Sequence, residues 1–169
     1  RKREEISARR LAVTDPLTGF ANREGLFQAH AGMHVTADAP LVVAMIDLAG
    51  FRQINDALGF RVGDQILLMA ANRIRESTTP DSFLARVGGD EFVIVLRGMA
   101  ERSAIEAWIS LLQARLGEPY KTDTTAISIG SSAGLALFPN DGVDMQNLLH
   151  CAELALGSAH ASRHGAQTH

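Results

Sequence analysis

Arg86-Val-Gly-Gly-Asp-Glu-Phe92 runs straight into Val93-Ile-Val-Leu96, setting two acidic side chains at a glycine turn between apolar strands. Two consecutive glycines permit positive φ and leave no Cβ to obstruct a ligand. Asp90 and Glu91 supply hard oxygen donors of the kind a divalent cation takes. A surface hairpin with two solvated acids is the bland alternative, and these residues alone do not separate the two.

A second acid stands at a comparable place. Leu41-Val-Val-Ala-Met-Ile46 is a continuous apolar run of strand length that stops at Asp47 and passes through Leu48-Ala-Gly50 into Phe51-Arg-Gln-Ile-Asn-Asp56. A sheet fixes the backbone at a strand end while the adjoining loop admits a ligand. Asp47 and Asp90 are therefore expected to converge from neighbouring strands. Two carboxylates sharing one or two magnesium ions would neutralise a triphosphate, polarise its α-phosphate and lower the pKa of an attacking hydroxyl. Asn55 and Asp64 flank a turn further on. Two readings stay open for them: helix capping and turn chemistry, or hydrogen bonding to a base edge.

Composition narrows the field. With 169 residues, 46% hydrophobic and 21% charged, the chain suits one globular domain with a sizeable core. A net charge of −3 argues against broad capture of nucleic acid, so no such partner is expected. The single cysteine, Cys151, falls in an apolar helical pattern, where packing rather than nucleophilic chemistry is its expected role. That usage fits a reducing, cytoplasmic compartment, and the apolar runs are too short to cross a bilayer, although a longer parent protein is free to carry an anchor.

Hydrophobic spacing predicts a helix over residues 23–32, a strand over 41–46 and a helix over 64–76, followed by the hairpin at Gly88. Ser103 is expected to cap a helix carrying Ile105, Trp108, Ile109, Leu111, Leu112 and Leu116 and ended by Gly117, with Trp108 in the core. Strands over 126–129 and 132–137 and a last helix from about Asp144 complete the pattern. Helices and antiparallel strands in this order suit an α+β fold of the ferredoxin-like type. In it an antiparallel sheet is flanked by helices, with the strands bearing Asp47 and Asp90 side by side.

Taken in order, the motifs resemble the GGDEF family, the diguanylate cyclase domains of bacterial signalling proteins. The resemblance starts at Asp15-Pro-Leu-Thr-Gly-Phe-Ala-Asn-Arg23 and continues through Ile46-Asp47, Phe51-Arg-Gln-Ile-Asn-Asp56, Gly63-Asp64 and Gly88-Gly-Asp-Glu-Phe92. It ends with Ser132-Ala-Gly134 and Phe138-Pro-Asn-Asp-Gly142, so it covers nearly the whole chain. It implies condensation of two GTP molecules into cyclic di-GMP and pyrophosphate, with two copies of the domain meeting face to face as a homodimer. By the same resemblance Asp47 and Asp90, joined by the carbonyl of Leu48, hold Mg²⁺ or Mn²⁺. Glu91 is the candidate for removing the hydroxyl proton. Asn55 and Asp64 bond the guanine, backbone amides around Gly50 and Phe51 hold the terminal phosphates, and Gly88 and Gly89 line the substrate turn.

Some positions depart from the family pattern. His160 and His164 stand where the family carries a lysine and an arginine onto the triphosphate, with Arg163 next to the second, and Gly157 replaces a tyrosine. An unperturbed histidine is mostly neutral at pH 7, so weaker phosphate binding is expected there. Ala49 and Phe60 replace an aspartate and a histidine outside the core ligand set. Thr79 and Ser82 occupy the two charged positions of the family's inhibitory site and Asp81 is one residue out of register, so product inhibition through that site is not expected.

Residues 1–13 read as a linker helix from an upstream sensor domain and 14–169 as the GGDEF domain. A phosphodiesterase domain of the EAL type follows in many tandem members, which makes this chain an expected excised domain with those two neighbours. Three functional readings follow: an active cyclase, a weak or inactive GTP-binding module that regulates a neighbouring domain, and a purely structural dimerisation unit.

Overall fold

Every residue of the strand Leu41–Leu48 is buried except Asp47, as required of a strand enclosed on both faces. The computed structural model describes residues 3–5, 12–33 and 40–167, with side chains to residue 161. In chain order the elements are α1 (Arg23–Ala29), β1 (Leu41–Leu48), α2 (Phe51–Leu58), α3 (Phe60–Glu76), β2 (Phe83–Arg86), β3 (Glu91–Arg97) and α4 (Arg102–Leu116). Then come β4 (Tyr120–Lys121), β5 (Ala126–Ile127), β6 (Ser131–Phe138) and α5 (Met145–Gln167).

The main sheet has the order β2-β3-β1-β6 and every pairing in it is antiparallel. That is the ferredoxin-like order expected from the sequence. Because side chains alternate along a strand, β1 divides its residues between two cores. Val42, Ala44, Ile46 and Leu48 join Phe92, Ile94 and Leu96 against α3 and α4, which contribute Ile66, Leu67, Ala70, Ile74, Ile109 and Leu112. Leu41, Val43 and Met45 join Val93, Val95 and Phe138 against Leu26 of α1 and Leu148, Leu149, Ala152 and Leu156 of α5. The helix α5 lies so close to β6 that a Cβ on Gly134 would stand 2.1 Å from the Ala152 carbonyl oxygen and 2.4 Å from the Leu156 amide.

Several boundaries shift from expectation. The third helix begins at Phe60, not Asp64, because Gly59 with φ 89° turns the chain directly out of α2. Residue 101, not Ser103, is the N-cap of α4, and it makes no side-chain capping bond. The expected strand over 126–129 is only Ala126–Ile127, paired with Tyr120–Lys121 in a separate two-stranded sheet. Asp47 lies inside β1, one residue before its end. Asp144 does begin α5, accepting a 2.8 Å hydrogen bond from the Asn147 amide. Trp108 packs at the rim of the core and donates to the Ser77 carbonyl at 3.0 Å. Cys151 packs on the α1–α5 side as expected. Residues 12–13 are helical, while most of the expected linker over 1–13 lies outside the described residues. Among the described residues no helix is long and apolar enough to cross a membrane.

Candidate active site

In the β1–β3 ladder Asp47 is the partner of Glu91, and Asp90 is the turn residue just before it. Directly opposed residues of an antiparallel pair share a face. For Asp47 and Glu91 that is the face covered by α1 and α5, since Met45 and Val93 two residues further in belong to that core. The two acids predicted to converge thus lie at the same end of the two central strands, Asp47 within β1 and Asp90 in the turn that enters β3. The Leu48 carbonyl lies at the same end. Ala49 donates to Gly130 on the β6 side, so the alternating backbone groups of Leu48 turn toward β3. The β1–β3 ladder ends at the Asp47–Glu91 pair, one residue short of Leu48.

Negative charge is concentrated here. Burial, and then the neighbouring Asp47 carboxylate, pushes the Asp90 carboxyl above the ordinary range. Glu91 is raised by burial first, then by Asp90, Asp47 and Glu153. Glu153 of α5 is paired with Arg23 of α1 at 3.2 Å, which brings one cation to the edge of the cluster. Asp47 is 14% exposed, and its Oδ1 is buried without a hydrogen-bond partner. A buried carboxylate oxygen left unbonded carries a desolvation cost that a bound cation removes. Among the described residues no three His, Cys, Asp or Glu side chains form a ready-made metal cage. A cation would therefore rest on Asp47 and Asp90, on backbone oxygen and on oxygens of its own ligand.

The glycine turn is held from behind. Arg86 donates to the Gly89 carbonyl through Nε at 3.1 Å and Nη2 at 2.8 Å, while its Nη1 reaches Asp15 Oδ1 at 2.9 Å. Asp15 also accepts from the Thr18 amide at 2.9 Å and the Thr18 hydroxyl at 2.6 Å. The Asp15-Pro-Leu-Thr18 segment therefore braces the turn that carries Asp90. Sequence reading gave Arg86 no role; its signal was a lone basic residue beside the glycine pair. Neither Gly88 nor Gly89 has positive φ, contrary to expectation. The requirement at Gly88 is space, because a Cβ there would meet the Glu91 side chain at 3.2 Å.

Gly50, with φ 71°, is the N-cap of α2 and offers no side-chain cap. The first amides of that helix, at Gly50 and Phe51, are thus available to an anion. On α3, Gly63 leaves a gap that Asn55 enters: a Cβ on Gly63 would be 1.8 Å from Asn55 Oδ1. That amide oxygen is buried with no partner. Asn55 thus lies against the residue next to Asp64, whose own side chain is exposed. His160 does not extend freely into solvent: its Nε2 lies 2.5 Å from Asp47 Oδ2. The side chains of Arg163 and His164 lie outside the described residues.

The family described as "Diguanylate cyclase, GGDEF domain" matches residues 12–166. PdeR, a cyclic di-GMP phosphodiesterase of Escherichia coli, is 35% identical over 94% of this chain and 24% of its own length. MucR of Pseudomonas aeruginosa, a bifunctional diguanylate cyclase/cyclic di-GMP phosphodiesterase, is 32% identical over 86% of this chain and 22% of its own. A sensory box/GGDEF family protein from Caulobacter crescentus superposes with a TM-score of 0.79 at 34% identity, covering 89% of this chain and 99% of that one. The chain spans about a fifth of the length of the first curated relatives it matches, between 20% and 22%.

Proposed function

Because the chain belongs to the GGDEF family, the diguanylate cyclase domains, we propose that it condenses two GTP molecules into cyclic di-GMP and pyrophosphate. The observation that carries this reading is the pairing of Asp47 with Glu91 beside Asp90, three acids gathered at one end of the central strands with one Asp47 carboxylate oxygen buried and unbonded. Hard oxygen donors in this number suit Mg²⁺ or Mn²⁺, held by Asp47, Asp90 and the Leu48 carbonyl. Bound there, the ion would offset the charge of the triphosphate and polarise its α-phosphate.

Asn55 Oδ1 and the Asp64 carboxylate would accept from the guanine N–H groups, and the amides at Gly50 and Phe51 would bond the terminal phosphates. Gly88 and Gly89 leave the turn open for the nucleotide to approach. The 3′-hydroxyl oxygen of one GTP forms a bond to the α-phosphorus of the other, and the bond to pyrophosphate breaks. Glu91, its carboxyl raised by burial and neighbouring acids, takes the hydroxyl proton. One domain holds one nucleotide, so each phosphodiester requires a second copy facing the first.

A second reading has its own support. PdeR, named for the opposite activity, matches 94% of this chain. His160 stands where the family carries lysine, and it contacts Asp47. On this reading the domain binds GTP, turns over slowly or not at all, and acts on an EAL-type neighbour within a longer protein that also carries an upstream sensor. Incubation of purified protein with GTP and Mg²⁺ or Mn²⁺, followed by chromatography for cyclic di-GMP, separates the two. Product supports the cyclase; GTP binding without product rejects it in favour of the regulatory module.

A further inference from the structure

Ser132 of β6 is the β1 partner of Asp47, and directly opposed residues of an antiparallel pair share a face. That face is the α5 side, because Gly134, on the same face two residues on, turns its missing Cβ toward Ala152 and Leu156. Glu91, Asp47 and Ser132 therefore form one row across β3, β1 and β6. Ser132 is only 2% exposed, and its Oγ has no hydrogen-bond partner among the described residues. Asp47 Oδ1 beside it is buried and equally without one, while Oδ2 is taken by His160 Nε2. The hydroxyl can donate and the carboxylate oxygen can only accept, so the two unpaired groups are complementary.

Resting on the proposed reading of Asp47 as part of the reactive centre, we propose that Ser132 is a positioning residue whose hydroxyl donates to Asp47 Oδ1 and fixes the plane of that carboxylate. Opposed Cβ atoms in such a ladder lie about 5 Å apart. The hydroxyl and the carboxylate both extend beyond Cβ, so a change between staggered serine rotamers closes the gap to a hydrogen bond of about 2.7 Å. Left apart, each group bears its full desolvation cost; joined, they make a bond strengthened by the carboxylate charge. His160 reaches the other oxygen from α5 with a ring that is 38% exposed, where water competes. Ser132 holds Oδ1 from inside the sheet, where water does not. Accepting from a hydroxyl occupies one lone pair of Oδ1 and leaves the second for a cation. Without that bond the carboxylate is free to turn about its Cβ–Cγ bond, and a reacting group misplaced by an ångström loses up to about a hundredfold in rate.

The test is a double-mutant cycle in metal-free buffer on the parent protein, Ser132→Ala, Asp47→Ala and the double variant, each unfolded in denaturant. A coupling of about tenfold in the unfolding equilibrium constant is expected, as for a hydrogen bond to a charged group. Coupling below about twofold overturns the proposal. With ¹³C-labelled aspartate, the Asp47 carboxylate resonance, identified by its loss in Asp47→Ala, should move in Ser132→Ala. It should also move in Ser132→Cys, which keeps the size but offers only a weak donor and carries the test if the alanine variant fails to fold. A resonance that stays in place in both variants overturns the proposal as well. On the cyclase reading, Ser132→Ala should lower kcat about tenfold with KM for GTP changed less than about twofold, the mark of a group that positions rather than binds. A raised KM at unchanged kcat rejects the positioning role. If the parent protein makes no cyclic di-GMP, the cyclase reading fails, while the cycle and the resonance still decide the bond between Ser132 and Asp47.

Discussion

Asp15 and Arg86, 71 positions apart in the chain, form a 2.9 Å ion pair with only 11% and 16% of their side chains exposed. The same guanidinium holds the Gly89 carbonyl with its other two nitrogens, so one side chain joins the Asp15–Thr18 turn to the acidic hairpin. Arg86→Ala would leave Asp15 buried without a cation. Loss of a buried partner costs about 3–5 kcal/mol, to be read as a large drop in thermal midpoint. Arg86→Lys keeps the charge but not the planar fork. On the proposed cyclase reading it should lower turnover about tenfold while shifting the midpoint by only a few degrees. Unchanged turnover in the lysine variant would mean that charge alone positions the turn.

Asp90 and Glu91 both have carboxyl groups raised above the ordinary range. The folded state therefore holds their protons more tightly than the unfolded chain does. Their contribution to stability is greatest at low pH, near the ordinary carboxylate range, and is lost as pH rises through the raised values. Divalent cation competes with those protons, so its affinity should fall as pH drops through the same window. Isothermal titration at a series of pH values checks this, and affinity that rises on acidification contradicts it. Asp90→Asn removes one like charge between partly solvated groups. In metal-free buffer at neutral pH it should raise the thermal midpoint by roughly 2 °C, as about 0.5 kcal/mol does in a chain of this size, and on the proposed cyclase reading it should abolish turnover.

Two glycines of neighbouring elements should respond oppositely to the same substitution. At Gly134 the added Cβ meets backbone atoms of α5 at 2.1 and 2.4 Å, and backbone cannot swing away. Gly134→Ala should push α5 off the sheet and destabilise the domain by about 3 kcal/mol or more. At Gly157 nothing lies within 4 Å of the added atom, and the residue sits inside a long helix. Gly157→Ala should stabilise by about 0.5–1 kcal/mol. Denaturant melts of both variants give the sign directly.

Gly63→Ala tests the nucleotide pocket without touching an acid. Its Cβ would overlap Asn55 Oδ1 at 1.8 Å and crowd the Phe51 ring at 3.2 Å, so the amide end of Asn55 has to move and the ring has to yield by a few tenths of an ångström. GTP affinity should fall about tenfold, the loss expected from one displaced base-edge hydrogen bond. Cation affinity in the absence of nucleotide should stay as it was. Calorimetry with GTP and with Mn²⁺ alone measures the two separately.

Much of this arrangement was legible in the chain itself. The apolar run 41–46 could only be an enclosed strand, and two acids adjoining such strands implied one shared end of the sheet. The ladder partner of Asp47 is indeed the acid next to Asp90. What the chain did not reveal depended on contacts distant in sequence. The Arg86 clamp needs Asp15, and the place of His160 depends on how deeply α5 settles over Gly134. The third helix was started late because apolar spacing was the signal and its first turn, after the positive-φ Gly59, opens with the exposed Phe60 and Arg61; the fourth was misplaced because it begins at a residue with no side-chain cap, where Ser103 had been read as one. Asn55 and Asp64 were readable either as turn and capping residues or as readers of a base edge, and the gap that Gly63 leaves for the Asn55 amide was not visible in the chain.

β1 has a paired neighbour on each side and a hydrophobic layer above and below. Its amide protons should therefore be among the slowest in the domain to exchange with solvent, reporting the free energy of complete rather than local opening. Asp47 is mounted on that strand. The acid assigned to grip an ion is thus tethered to one of the last segments to loosen, so warming should fray the loops around the nucleotide well before it shifts the anchor beneath them.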